Sequence, residues 1–145
     1  MKTFQNYILG NWVNGDGIET PLYHAVSQVE LGSVSSAGID YDQVFEYGRK
    51  TGGRSLRKMT FQERGRMLKA LALHLMERKA TYYSVSAYTG ATKIDSWIDI
   101  EGGIGNLFAN ASLRRQFPDL PYYIDGVAAP LSKGGTFIGH HIMVH

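Results

Sequence analysis

Asp95, Asp99 and Glu101 are side chains able to move protons that lie close in sequence, and a helix would carry Asp95 and Asp99 on one face. Such a pair could act as general acid and base if burial raised one of the two pKa values. Acids at a helix N-terminus are also what the macrodipole favours, and that structural role accounts for them more simply. His140, His141 and His145 could ligate a metal, but in a strand only His141 and His145 share a face, with only His24 and His74 in reserve. The pattern predicts ordinary histidines and no metal. Ser84 and Ser86 lack the GxSxG setting of a nucleophile. Cysteine is absent altogether, which removes thiolate nucleophiles, thioester intermediates, disulfides and thiolate metal sites at once.

The glycines and the cations offer two further chemistries. Gly103-Ile104-Gly105 carries part of a dinucleotide fingerprint, yet Phe108 stands where the third glycine belongs and no strand precedes it. Thr51-Gly52-Gly53-Arg54-Ser55 lacks the spacing and lysine of a P-loop. Both sets predict packing or capping roles. Arg49, Lys50, Arg54, Arg57, Lys58, Arg64, Arg66 and Lys69 gather with only Glu63 among them, so Arg49–Lys69 is an alternative surface for an anionic partner such as a nucleic acid. The net charge of the whole chain is only +2, and a solvated helix face explains the cluster without any such partner.

The elements that would position these residues follow from patterning. At 145 residues, 43% hydrophobic and 19% charged, the chain suits one globular unit. It has neither an apolar run long enough to span a membrane nor a signal peptide's core, so a cytoplasmic protein is expected. FQNYILGNWV predicts an N-terminal β-hairpin turning at Gly10-Asn11, and Leu22–Val34 alternates weakly as strand and loop. Asp40, with Gln43 three residues on and Ile39 able to staple onto Val44, should start a helix that ends at Gly52-Gly53. Thr60 and Glu63 should form a capping box for a second helix carrying Leu68, Leu71, Ala72 and Leu75. A third should run after Lys79 to Gly90. A fourth should bury the stripe Ile94, Trp97, Ile98, Ile104, Phe108 and Ala111. Gly102, Gly103 and Gly105 interrupt it, which implies either a closely packed second backbone or a bend. TFIGHHIMVH alternates like a strand.

The hairpin YILGNWVNG, the helix LRKMTFQERGRMLKALALHL, the run YSVSAYTGATKIDSWIDIEGGIGNLFANAS and the closing PLSKGGTFIGHHIMV resemble, in order and at matching intervals, the aldehyde dehydrogenase superfamily. The resemblance covers essentially the whole chain. Its most specific part, Thr89–Phe108, is most similar to the branch that joins a CoA-linked semialdehyde dehydrogenase to an oxepin-CoA hydrolase domain in phenylacetate degradation. The semialdehyde dehydrogenases of the benzoyl-CoA pathway are a close second.

The resemblance implies an α/β family of which this piece is α+β: an N-terminal β-hairpin, about four helices and a C-terminal strand of an oligomerisation arm. Residues 1–145 would be the N-terminal part of a dehydrogenase domain. The family's catalytic cysteine, glutamate base, oxyanion asparagine and nucleotide-binding glycines would all lie beyond His145, so none is carried over. A full-length member would use NADP and a cysteine thiohemiacetal. This chain alone is expected to be a truncated, inactive portion, without cofactor, self-associating or docking on a full-length paralogue through its last strand. By position in the family, Ile100 and Ile104 are candidate walls of the substrate tunnel, although apolar residues at helical spacing more commonly just fill a core.

Overall fold

The computed structural model describes residues 2–124, 128–130, 136–138 and 142–143. Thr60 and Glu63 form the capping box that the sequence predicts: Glu63 N–H donates to the threonine hydroxyl at 3.1 Å, and Thr60 N–H donates to the glutamate carboxylate at 2.7 Å. Helix α3 (Phe61–Glu77) grows from this cap. The Thr60 hydroxyl also donates to Asp119, and Phe61 N–H donates to the Leu120 carbonyl at 3.0 Å, so the cap doubles as an anchor for a distant segment.

Asp40 caps α1 (Tyr41–Tyr47) by accepting from Gln43 N–H at 3.0 Å. The expected stop at Gly52-Gly53 does not occur. Both glycines are right-handed, at φ −66° and −60°, and the chain passes through a wide π turn, Gly48–Gly52, into α2 (Gly53–Lys58). A glycine ends a helix only when it flips to positive φ. Here the break falls at Met59, which turns extended beside the cap of α3. Helix α4 (Lys79–Ser86) closes through a 3-10 turn, Ala87–Thr89, on Gly90 at φ 82°, as expected. Then α5 (Lys93–Trp97), a second π turn (Ile98–Gly102) and α6 (Gly103–Ser112) make one continuous helix. The six α-helices thus join into four helical segments, and the chain is a small α+β unit.

The predicted apolar stripe of the last segment is corrected by that π turn. Ile94, Trp97 and Ile98 are 70%, 56% and 54% exposed, while Ser96 is buried in their place. The wide turn inserts a residue, so the inward face steps through Ser96, Ile100, Ile104 and Ala111 instead of following a uniform helical period. A Cβ at Gly102, Gly103 or Gly105 would meet nothing within 4 Å, so no described backbone packs on these glycines. The close packing that they invited is therefore absent among the described residues, and Gly102 and Gly103 keep ordinary right-handed helical angles.

Nine short strands accompany the helices among the described residues. β2 (Asn6–Ile8) and β3 (Asn11–Val13) form the hairpin, in the register Tyr7↔Trp12. Its turn is Leu9-Gly10, one position before the expected Gly10-Asn11. Leu9 at φ 53° and Gly10 at φ 82° supply the paired positive angles that a two-residue hairpin turn of this hand requires. β1 (Thr3–Phe4) pairs parallel with β5 (Glu30–Val34), and β4 (Thr20–Tyr23) pairs antiparallel on its other side. β6 (Tyr123–Ile124) pairs with β9 (Ile142–Met143), and β7 (Ala128–Pro130) with β8 (Thr136–Ile138). The TFIGHHIMVH segment therefore contributes two short strands where one was expected. His140, His141 and His145, and the metal reading attached to them, lie outside the described residues.

The packed centre is the α3–α6 contact. Ala72, Ala111 and Ile104 are 0%, 1% and 4% exposed, and no large side chain is fully buried among the described residues. Gln62 donates to the Arg114 and Phe117 carbonyls at 2.7 and 3.1 Å, and the Phe61 and Phe117 rings stack at 4.6 Å.

Candidate functional site

Ile100 and Ile104 come together. With Leu75, Tyr82, Gly103 and Leu107 they line an open groove of about 320 Å³ between α3, α4 and the second π turn. Ile104 is buried at its floor and Ile100 is half-buried on its wall. The groove is apolar apart from Asp99 and the Tyr82 hydroxyl, so what it offers a bound molecule is shape and a dry surface.

A polar clamp fixes the π turn that carries Ile100. Lys79 Nζ and the Tyr83 hydroxyl, both from α4, donate to the same Glu101 oxygen at 3.1 and 2.9 Å. The lysine hydrogen bond, then the tyrosine one, hold the Glu101 carboxyl below its usual pKa against the opposing effect of desolvation. Desolvation, then the Glu101 hydrogen bond and charge, push the Tyr83 phenol up. A carboxylate with a depressed folded pKa adds stability that is present above its unfolded pKa and is lost as pH falls through the folded one. A phenol with a raised pKa does the reverse, adding stability that is lost as pH rises through its folded value. The clamp should therefore open at both extremes. Glu101→Gln is expected to flatten the acid limb of stability against pH, read from unfolding midpoints across a pH series, and an unchanged acid limb would show that the clamp contributes nothing.

The three acids hold separate places in the structure. Asp95 belongs to a second capping box at Thr92, whose hydroxyl and backbone hydrogen bonds lower its pKa. Asp99 borders the groove and Glu101 is held in the clamp. Ser84 donates to the Ala80 carbonyl and Ser86 is bonded to buried Ser96, both structural contacts. His24 accepts from Val26 and Ser27 N–H groups, and His74 lies 3.0 Å from Arg78. Among the described residues no group of three His, Asp or Glu could hold a metal. Within the Arg49–Lys69 stretch, Arg49 and Lys50 pair with Glu46 on an exposed face, and Arg64 lies 4.4 Å over the Phe61 ring.

Over 140 residues, 96% of its length, the chain is 31% identical to a 3,4-dehydroadipyl-CoA semialdehyde dehydrogenase of Aromatoleum evansii. The likeness supports an aldehyde dehydrogenase-family relationship. No family model matches the chain. It spans about a quarter of that dehydrogenase, 27% of its length. A dehydrogenase relative is consistent with a nicotinamide cofactor in full-length aldehyde dehydrogenases of this kind, but the glycines of this chain that the sequence singled out do not fit a dinucleotide. Gly103 N–H already donates to the Asp99 and Ile100 carbonyls, and Gly53 N–H to Gly48, so neither is free to cradle a pyrophosphate. No described helix is long and apolar enough to cross a membrane.

Lys79 and Tyr83 escaped the sequence reading because their partner lies 22 and 18 residues away, beyond any local spacing rule. The Thr92–Asp95 box was open to detection by the same T-x-x-acid pattern that marks Thr60.

Proposed function

We propose that this chain is the N-terminal section of an NADP-dependent, CoA-linked semialdehyde dehydrogenase of aromatic, phenylacetate-type catabolism. The reading rests on one observation, the 31% identity over nearly the whole chain to a CoA-linked semialdehyde dehydrogenase. In that enzyme the section supplies form and not chemistry. Ile100 and Ile104 wall the path of the acyl chain, the Lys79–Tyr83–Glu101 clamp holds that wall in place, and the last strand pairs with a second copy or a full-length paralogue in a cytoplasmic oligomer. The covalent step of such a dehydrogenase needs a thiolate, and with no cysteine this chain cannot form the thiohemiacetal or the thioester.

The test is direct. The purified chain, incubated with a CoA-linked semialdehyde and NADP, is expected to give no NADPH above the protein-free rate. Turnover that scales with chain concentration and survives a further purification step would overturn the proposal.

A further inference from the structure

A second cleft, of about 590 Å³, opens between the β1-β5-β4 sheet and the end of α4. Its walls are Phe4, Leu22 and Leu31 from the sheet and Val85 and Tyr88 from the helical side, with Tyr23 alongside. It shares no lining residue with the groove at Ile100 and Ile104. The two sides are fastened to each other. Ala25 N–H donates to the Tyr88 carbonyl at 2.9 Å, and the His24 ring meets the Tyr88 ring edge-on at 5.5 Å. The cleft is thus built into the fold, although Val85, Tyr23 and Tyr88 remain 56%, 50% and 46% exposed along it.

Among the described residues that line this apolar cleft, one is charged. Lys2 lines it, with Nζ lying 4.8 Å from the centroid of the Phe4 ring. Lys2 has no ion pair among the described residues. Glu30 borders the adjoining hollow beside Lys2 without coming within salt-bridge distance.

We propose that this cleft binds an amphipathic monocarboxylate, an aromatic or medium-chain acyl acid, with its apolar body between Leu22, Tyr23, Val85 and Tyr88 and its carboxylate on Lys2. The volume falls within the roughly 300–1,000 Å³ of small-molecule sites, and the lining has the expected make-up of aromatic and aliphatic walls with few polar groups. A single ammonium matches a single negative charge. A phosphate would call for more donors or an arginine fork, and the cleft lining contains no arginine. The inference stands independently of the dehydrogenase reading.

Titration of the intact chain with octanoate and with octan-1-ol, followed by calorimetry and by amide shifts at Ala25 and Gly90, tests it. Octanoate should bind saturably at one site, about threefold more tightly than the alcohol, the size of effect an exposed ion pair gives. Lys2→Gln should erase the difference between acid and alcohol. Val85→Asp, at an exposed position, should abolish octanoate binding with the helical circular dichroism unchanged. If Val85→Asp fails to fold, Lys2→Gln decides alone. Equal affinity for acid and alcohol in the parent chain, non-saturable detergent-like uptake, or an unchanged preference in Lys2→Gln would each overturn the proposal.

Discussion

Gly65→Leu is expected to separate α3 from α6 and to remove most of the chain's cooperative unfolding. A Cβ at Gly65 would lie 2.5 Å from Arg114 Cδ, 2.7 Å from Arg114 Cβ and 3.0 Å from the Ala111 carbonyl oxygen. The Arg114 Cβ and the Ala111 carbonyl belong to the facing backbone and its root, which cannot swing aside as a side-chain tip can. Overpacking of this kind costs about 1–3 kcal/mol, and a leucine, extending beyond Cβ, belongs at the upper end. The only buried apolar residues described are Ala72, Ile104 and Ala111, so a loss of that size takes a large share of the available stability. Urea unfolding followed by circular dichroism measures it. The control is Gly102→Ala, where the added methyl meets nothing within 4 Å and helix propensity alone should stabilise the isolated chain by about 0.5–1 kcal/mol. Equal effects at the two glycines would contradict the assigned α3–α6 contact.

Ile104→Ala carries the second large effect. At 4% exposure, Ile104 is the largest of the three buried apolar side chains. Truncating a buried isoleucine to alanine costs about 2–5 kcal/mol, and because the groove already opens beside it, the lower half of that range is expected. Ile94→Ala, at 70% exposure, should change stability by no more than about 0.5 kcal/mol. The contrast separates the inward face set by the π turn from the uniform stripe, which would make the two substitutions equally damaging.

Local signals in the sequence were legible where the physics is local. Asp40 and Thr60 cap their helices through atoms three residues away, and Gly90 ends a helix at positive φ, so composition and spacing sufficed. The failures share a cause. Both π turns shift the chain by a residue, and no propensity distinguishes Gly52, which continues a helix, from Gly90, which stops one. The strained φ of Leu9 displaced the hairpin turn for a related reason, since the cross-strand register outweighs the usual reluctance of leucine to take positive φ. The parallel β1–β5 pair and the clamp on Glu101 join residues far apart in the chain, which periodicity cannot reveal. Of the candidate site, the positions of Ile100 and Ile104 came from family resemblance, while the groove they share comes from tertiary packing alone.

The exposed apolar side chains bear on the proposed role. Trp12, Phe45, Trp97 and Ile98 are each more than half exposed, an arrangement suited to a section that packs against further polypeptide. The most direct test of that role is a chimera in which the matched section of the Aromatoleum evansii dehydrogenase is replaced by this chain, assayed for reduction of its nicotinamide cofactor by the CoA-linked semialdehyde. If this chain is the equivalent section, the chimera should fold and retain turnover within about tenfold of the parent, a loss of about 1.4 kcal/mol in transition-state stabilisation. A chimera that folds as stably as the parent but shows no turnover, or one that cannot fold around this section, would contradict the proposal.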